Sequence, residues 1–127
     1  MDTKCNFLIA EDDPVLRDLY VRKFSNAEYQ IRTAANGEEV ISMVALQKPD
    51  LLLLDLNMPV LDGFGVLEKL PTDKRPFPVI IITNFEDQTT RDKAKKLGVD
   101  GYFVKKDMTI KSLVEMVEGL LKYKKAA

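Results

Sequence analysis

Four consecutive leucines, Leu51–Leu54, constrain the fold of this chain more than any other feature. Bounded by loop residues, such a run predicts a strand buried on both faces, because a half-exposed strand would alternate apolar and polar residues. Asp55 closes the run, and Leu56-Asn57-Met58-Pro59 follows it. Open α/β sheets bind ligands beyond the carboxyl ends of their strands. An ionisable residue at this point is therefore a candidate functional group.

A second acidic cluster ends an earlier apolar run in the same way. Glu11, Asp12 and Asp13 follow Phe7-Leu8-Ile9-Ala10. Crowded carboxylates repel one another unless a cation lies among them. The chain contains no histidine, so a metal here must be held by oxygen, which favours Mg²⁺, Ca²⁺ or Mn²⁺. The two acidic strand ends thus predict one cation site with a reactive oxygen.

Five short apolar runs alternate with five amphipathic segments, the pattern of a parallel sheet covered by helices on both faces. The second run alternates polar and apolar residues, so it is expected at an edge of the sheet, and the helix beginning near Asp87 has few apolar residues, so it should pack weakly. The predicted strands are Cys5–Ala10, Tyr29–Thr33, Asp50–Leu54, Pro78–Thr83 and Gly101–Val104. The predicted helices begin near Pro14, Gly37, Gly63, Asp87 and Thr109.

Length and composition indicate one soluble domain covering residues 1–127. The net charge of −1 argues against direct nucleic-acid binding, which needs a basic excess. The single cysteine, Cys5, allows no disulfide within the chain and fits a reduced cytoplasmic setting. No apolar stretch approaches the ~20 residues of a membrane-spanning helix. The first residues also lack the pattern of a secretory signal, so neither a membrane nor an export role is expected.

The carboxyl edge of the predicted sheet collects further polar groups. Thr83 ends the fourth strand, and Lys105 directly follows the fifth. A hydroxyl group and an ammonium group are suited to an incoming phosphoryl oxygen. In order and spacing, these residues resemble the receiver domain of two-component response regulators, notably stand-alone chemotaxis-type regulators, from about Cys5 to Leu121. That resemblance implies a flavodoxin-like doubly wound fold with strand order 2-1-3-4-5.

The resemblance also implies a role for each residue. Asp55 matches the phosphoacceptor, and Thr83 and Lys105 match the groups that contact the phosphoryl oxygens. Tyr102 matches an aromatic switch residue. The Mg²⁺ site would comprise the side chains of Asp12 and Asp55, the backbone carbonyl of Asn57, and Glu11 through a bound water.

The partners implied are a sensor histidine kinase or histidine phosphotransfer protein as phosphodonor, and a downstream protein target. The output would be partner binding, onward transfer of the phosphoryl group, or a homodimer, in each case through the surface of the fourth helix, fifth strand and fifth helix. An excised part of a longer regulator would have the same sequence pattern.

Four positions depart from the family pattern or carry an alternative. Lys106 follows Lys105 where the family commonly has a proline with a cis peptide, so this turn is expected to be trans. Asn84 and Phe85 follow Thr83 where a small residue is usual, which predicts less room for attacking water and slow loss of phosphate. Asp13 fits a helix cap as well as a metal ligand.

Two other classes of protein could place acidic residues at the ends of such strands. An aspartate-nucleophile phosphatase would place a second aspartate two positions after the nucleophile as general acid, but Asn57 occupies that position. A flavin- or nucleotide-binding module on the same fold would need a glycine-rich phosphate loop after the first strand. Acidic residues occur there instead, so the signalling receiver remains the leading hypothesis.

Overall fold

The structure is a computed structural model that describes residues 5–25 and 28–126, with side chains to Leu121. Its neighbouring strands are all parallel and follow the order β2-β1-β3-β4-β5. The predicted sheet and strand order are confirmed, and each strand end lies within one residue of its expected position. The strands are β1 (Cys5–Ala10), β2 (Tyr29–Ala34), β3 (Leu51–Asp55), β4 (Val79–Thr83) and β5 (Gly101–Val104).

The first four helices each begin behind a side chain that accepts a hydrogen bond from a backbone N–H of the first turn. Such caps satisfy donors that the helix itself leaves unpaired. Asp13 is one of these caps, with Pro14 at the first helical position as expected. The helices are α1 (Pro14–Phe24), α2 (Gly37–Leu46), α3 (Gly63–Lys69), α4 (Gln88–Lys96) and α5 (Ile110–Ala126), and an unpredicted 3₁₀ turn spans Thr72–Lys74.

Successive residues of the central strands point to opposite faces of the sheet, and each face has its own apolar core. Leu51 and Leu53 of β3 pack on the side covered by α1 and α5, while Leu52 and Leu54 pack on the side covered by α2 and α3. All four leucines are fully buried. The four-leucine run is therefore a central strand covered on both faces, as predicted.

The periphery also follows the sequence pattern. Strand β2 lies at the edge of the sheet and is mostly half-buried. In α4, Ala94 is the one buried residue, so this helix is weakly packed as expected. Within the part of the chain described, no helix combines the length and apolar character needed to span a membrane.

Candidate functional site

Asp55 is the last residue of β3 and is only 1% exposed. Its Oδ1 accepts a hydrogen bond of 2.9 Å from the backbone N–H of Asn57. Its Oδ2 accepts one of 3.1 Å from the ammonium group of Lys105. Both carboxylate oxygens therefore have one partner, and each keeps a second lone pair for an incoming group.

The ammonium group of Lys105 joins the tips of two strands. It lies 3.1 Å from Glu11 Oε1 and 3.1 Å from Asp55 Oδ2. The two acids are adjacent because β1 and β3 pair in parallel, with Ala10 beside Leu54 at their carboxyl ends. Glu11 is wholly buried, and the side chain of Lys105 is 16% exposed. A buried pair of carboxylates thus shares one cationic side chain.

The charges of this cluster are strongly perturbed. Burial, followed by the neighbouring Asp55 carboxylate, raises the pKa of Glu11 from its usual 4.5 to about 8. Burial opposes the charge of Lys105, but the carboxylates of Asp55 and Glu11 outweigh it and raise the pKa of Lys105. At neutral pH Lys105 is therefore charged, and Glu11 binds a proton in the absence of a metal.

The site also fits a divalent cation. One carboxylate oxygen from each of Glu11, Asp12 and Asp55 lies within 4.8 Å of the others. Glu11 Oε1 is buried and lies 3.1 Å from the ammonium group of Lys105, but it has no hydrogen-bond partner of good geometry among the described residues. Carboxylate oxygens of this kind suit Mg²⁺, which needs only one or two of them and retains water at other positions.

Asp13 and Asn57 occupy the rim of this cluster. The Asp13 carboxylate accepts hydrogen bonds from the N–H groups of Val15 and Leu16 at the start of α1, so it acts as a helix cap. The backbone N–H of Asp13 donates to Glu11 Oε2 at 3.2 Å. Asn57 is exposed and lies two residues beyond Asp55 at the same edge of the sheet.

Thr83 is the last residue of β4 and is fully buried, and its backbone carbonyl accepts a hydrogen bond of 2.7 Å from the N–H of Lys105. Its hydroxyl donates a hydrogen bond of 3.3 Å to Asn57 Oδ1 and accepts one of 3.1 Å from the backbone N–H of Phe85. Asn84 and Phe85 follow it on the surface, and Phe85 is 45% exposed. The hydroxyl group is thus close to the acidic cluster but is bound to Asn57.

Three side chains bind the loop between β4 and α4. The Tyr102 hydroxyl donates to the Phe85 carbonyl at 2.8 Å. Arg91 Nε donates to the Glu86 carbonyl at 3.3 Å, and its guanidinium lies 4.9 Å from the centre of the Tyr102 ring. Lys106 forms an ion pair of 3.0 Å with Glu86. No cis peptide bond occurs within residues 5–25 and 28–126, so the turn after Lys105 is trans as predicted.

Sequence reasoning did not find several of these contacts. Glu86 and Arg91 belong to no motif that would mark them as functional. Lys106 stands out in the sequence only because it occupies a position where the family commonly has proline. Burial and then the charge of Glu11 raise the pKa of Tyr20 to about 12, which indicates that this residue of α1 lies near Glu11 and Asp55. No motif in the sequence marks Tyr20 as a neighbour of these acids.

Comparison with known proteins agrees with this geometry. The sequence model of the family described as "Response regulator receiver domain" matches residues 7–118. "Probable transcriptional regulator ycf27" of Cyanophora paradoxa is 34% identical over 119 residues, which are 94% of this chain and 49% of that protein. The chain therefore spans about half the length of this curated relative.

Solved structures have the same fold. The signal receiver domain of the putative response regulator NarL from Mycobacterium tuberculosis superimposes with a TM-score of 0.83 at 26% identity, covering 94% of this chain and 97% of that one. The chemotaxis protein CheY4 of Vibrio cholerae superimposes with a TM-score of 0.82 at 22% identity, covering 93% and 99%. The second likeness supports the fold alone.

Proposed function

The chain belongs to the response regulator receiver domain family, and from this premise we propose that it accepts a phosphoryl group on Asp55 in a Mg²⁺-dependent reaction. The donor would be a phosphohistidine of a sensor histidine kinase or a histidine phosphotransfer protein. The observation that carries the proposal is the cluster of Glu11, Asp12 and Asp55 at the paired tips of β1 and β3, with Lys105 in contact with two of these acids. The proposed setting is the cytoplasm.

Each residue would have a distinct task in the transfer. A carboxylate oxygen of Asp55 forms the new bond to phosphorus while the bond from phosphorus to the histidine nitrogen breaks, and the imidazole leaves with that electron pair. Lys105 and Thr83 would contact the remaining phosphoryl oxygens. Most catalysis of this kind is positioning and electrostatic stabilisation.

Mg²⁺ would be held by the side chains of Asp12 and Asp55, by the backbone carbonyl of Asn57, and by Glu11 through water. When bound, it would neutralise charge on the carboxylates and on the phosphoryl oxygens. Without a metal, the ammonium group of Lys105 neutralises the Asp55 carboxylate from a distance of 3.1 Å. With Mg²⁺ bound, this ammonium group would become available to the phosphoryl group.

The signal would leave through the surface of α4, β5 and α5. A Thr83 that turns toward the phosphoryl group would change the β4–α4 loop, to which Tyr102 is already bound through the carbonyl of Phe85. Shifting a population from mostly inactive to mostly active takes about 5 kcal/mol. A few charge-assisted hydrogen bonds of ~1.5–3 kcal/mol each could supply it. The weakly packed α4 is the proposed moving element.

The output is open to two arrangements. In one, this single domain binds a protein target, forms a homodimer or passes the phosphoryl group on. In the other it controls a further part of a longer protein that regulates transcription, as the name of its relative in Cyanophora paradoxa, a probable transcriptional regulator, suggests. Direct DNA binding by residues 1–127 is not proposed, because their net charge is −1.

Intact mass after incubation with a small phosphodonor and Mg²⁺ tests the proposal. We expect one phosphoryl adduct on the wild type and on Asp18→Asn, a control that alters an exposed acid of α1. The adduct should be absent from Asp55→Asn and from wild type treated with a chelator. An adduct that persists in Asp55→Asn would contradict the proposal, and sustained turnover of unrelated phosphate esters would instead indicate a phosphatase.

Phe85 should set the lifetime of the acyl phosphate. Its half-exposed ring follows Thr83 at the rim of the site, where it would hinder an attacking water. Phe85→Ala should therefore lose phosphate faster than the wild type, and Phe85→Leu should change the rate less. Equal rates of decay for all three proteins, followed by intact mass, would show that the ring does not limit access of water.

A further inference from the structure

Two side chains, Lys105 and Thr83, are expected to hold the phosphoryl oxygens, and they have different hydrogen-bond partners in the structure. Lys105 is already bound to Asp55 at 3.1 Å, whereas the hydroxyl of Thr83 donates to Asn57 Oδ1 at 3.3 Å. A hydroxyl has a single proton to donate, so Thr83 cannot donate to Asn57 and to a phosphoryl oxygen at once. Binding of the phosphoryl group by Thr83 therefore requires the contact with Asn57 to break.

We propose that the side-chain amide of Asn57 is a positioning residue that holds Thr83 in its resting orientation and thereby weakens binding of a phosphoryl group at Asp55. This inference rests on the proposed function, to which it adds a role for the Asn57 side chain. The role differs from the backbone contact with a metal that the family resemblance implies. The amide acts through Thr83 and not by contact with the phosphoryl group.

The surroundings of Thr83 make the restraint specific. Its side chain is fully buried, and its oxygen also accepts the N–H of Phe85 at 3.1 Å, which fixes the oxygen and directs its proton toward Asn57. Asn57 is itself held by its backbone N–H, which donates to Asp55 Oδ1 at 2.9 Å. The same residue thus binds the phosphoacceptor through its backbone and Thr83 through its side chain, so the two groups are linked.

Fluoroberyllate with Mg²⁺ tests the restraint without chemical turnover, because it binds a carboxylate oxygen as a stand-in for a phosphoryl group. The measured quantity is the fluoroberyllate concentration at half-saturation, followed by ¹⁵N NMR at the amide of Phe85, which donates to Thr83. Removing one neutral hydrogen bond of the resting state should lower that concentration roughly two- to tenfold in Asn57→Ala.

Two backgrounds separate this role from a merely structural one. In Thr83→Ser the hydroxyl is retained, so adding Asn57→Ala should tighten binding as it does in the wild type. In Thr83→Val the hydroxyl is lost, so adding Asn57→Ala should leave binding unchanged. The amide spectrum of each variant verifies that it is folded.

Several results would overturn the inference. Weaker binding in Asn57→Ala would show that the amide assists the bound state, and an equal gain in the Thr83→Val background would show that the effect does not pass through Thr83. Both results would leave phosphorylation of Asp55 intact, because the wild type would still bind the probe. A wild type that binds no fluoroberyllate and forms no phosphoryl adduct would instead refute the proposed function, and this inference with it.

Discussion

Glutamine in place of Glu11 should remove most of the pH dependence of stability that we expect of the metal-free protein between about pH 5 and pH 8. In the folded chain burial and the nearby Asp55 raise the pKa of Glu11 to about 8, against 4.5 for an ordinary glutamate. Between these two values the folded state binds a proton that the unfolded state has released. The free energy of unfolding therefore falls as the pH rises through this window.

The size of the effect follows from the width of the window. One proton bound only in the folded state changes the free energy of unfolding by about 1.4 kcal/mol per pH unit. Because the difference in bound protons is less than one near both ends of the window, the loss from pH 5 to pH 8 is roughly 3–4 kcal/mol, a large part of the stability of a small domain. Glutamine resembles the protonated acid, so Glu11→Gln should match the wild type near pH 5 and exceed it near pH 8.

Urea denaturation at several pH values in the presence of a chelator measures this difference. Glu115→Gln, which alters an exposed acid of α5, should give a curve parallel to that of the wild type. Parallel curves for the wild type and Glu11→Gln would refute the reasoning, because they would mean that Glu11 titrates alike in the folded and unfolded states. Excess Mg²⁺ should flatten the wild-type curve, since a bound cation favours the carboxylate over the acid.

Three further substitutions, each followed by urea denaturation, test the backbone and packing contacts that support the site. Val60→Gly should stabilise the protein by about 0.5–1 kcal/mol, because Val60 has a φ of 69° in a turn where a β-branched residue is strained; unchanged stability would mean that the turn relaxes freely. Gly63→Ala should destabilise it by about 1–3 kcal/mol and slow phosphorylation, because a Cβ would lie 2.8 Å from the backbone oxygen of Asp55. Arg75→Ala should cost about 3 kcal/mol, since the buried guanidinium donates to the carbonyl groups that end α3 and α4; a loss below 1 kcal/mol would contradict this.

The sequence predicted the sheet because its strands are marked by local patterns. The run Leu51–Leu54 predicted a strand covered on both faces, and the alternation in Tyr29–Thr33 predicted a strand at an edge. Once the strand order is known, the tips of β1 and β3 are neighbours, so the acids that end them must meet. This is why the proximity of Glu11, Asp12 and Asp55 was within reach of sequence reasoning.

Contacts between side chains from different loops were beyond the sequence. The bond from Thr83 to Asn57 joins residues 26 positions apart, and the ion pair of Glu86 with Lys106 joins residues 20 positions apart. Each depends on side-chain orientation after the loops have formed, and no spacing in the sequence encodes it. The raised pKa of Glu11 is a tertiary property for the same reason, because it depends on complete burial.

Lys105 lies between Glu11 and Asp55, so its charge depends on the state of both acids. Without a metal, the ammonium group is the only described cation within 4 Å of Asp55, and the proton on Glu11 removes the second negative charge that one lysine could not balance. A divalent cation would take over both tasks, releasing the proton of Glu11 and freeing Lys105 from Asp55. Cation binding, proton release and the availability of Lys105 are therefore linked. Glu11→Gln, which keeps this side chain neutral, should bind Mg²⁺ more weakly than the wild type does at pH 8. Its affinity for Mg²⁺ should also fall less than that of the wild type when the pH is lowered from 8 to 6.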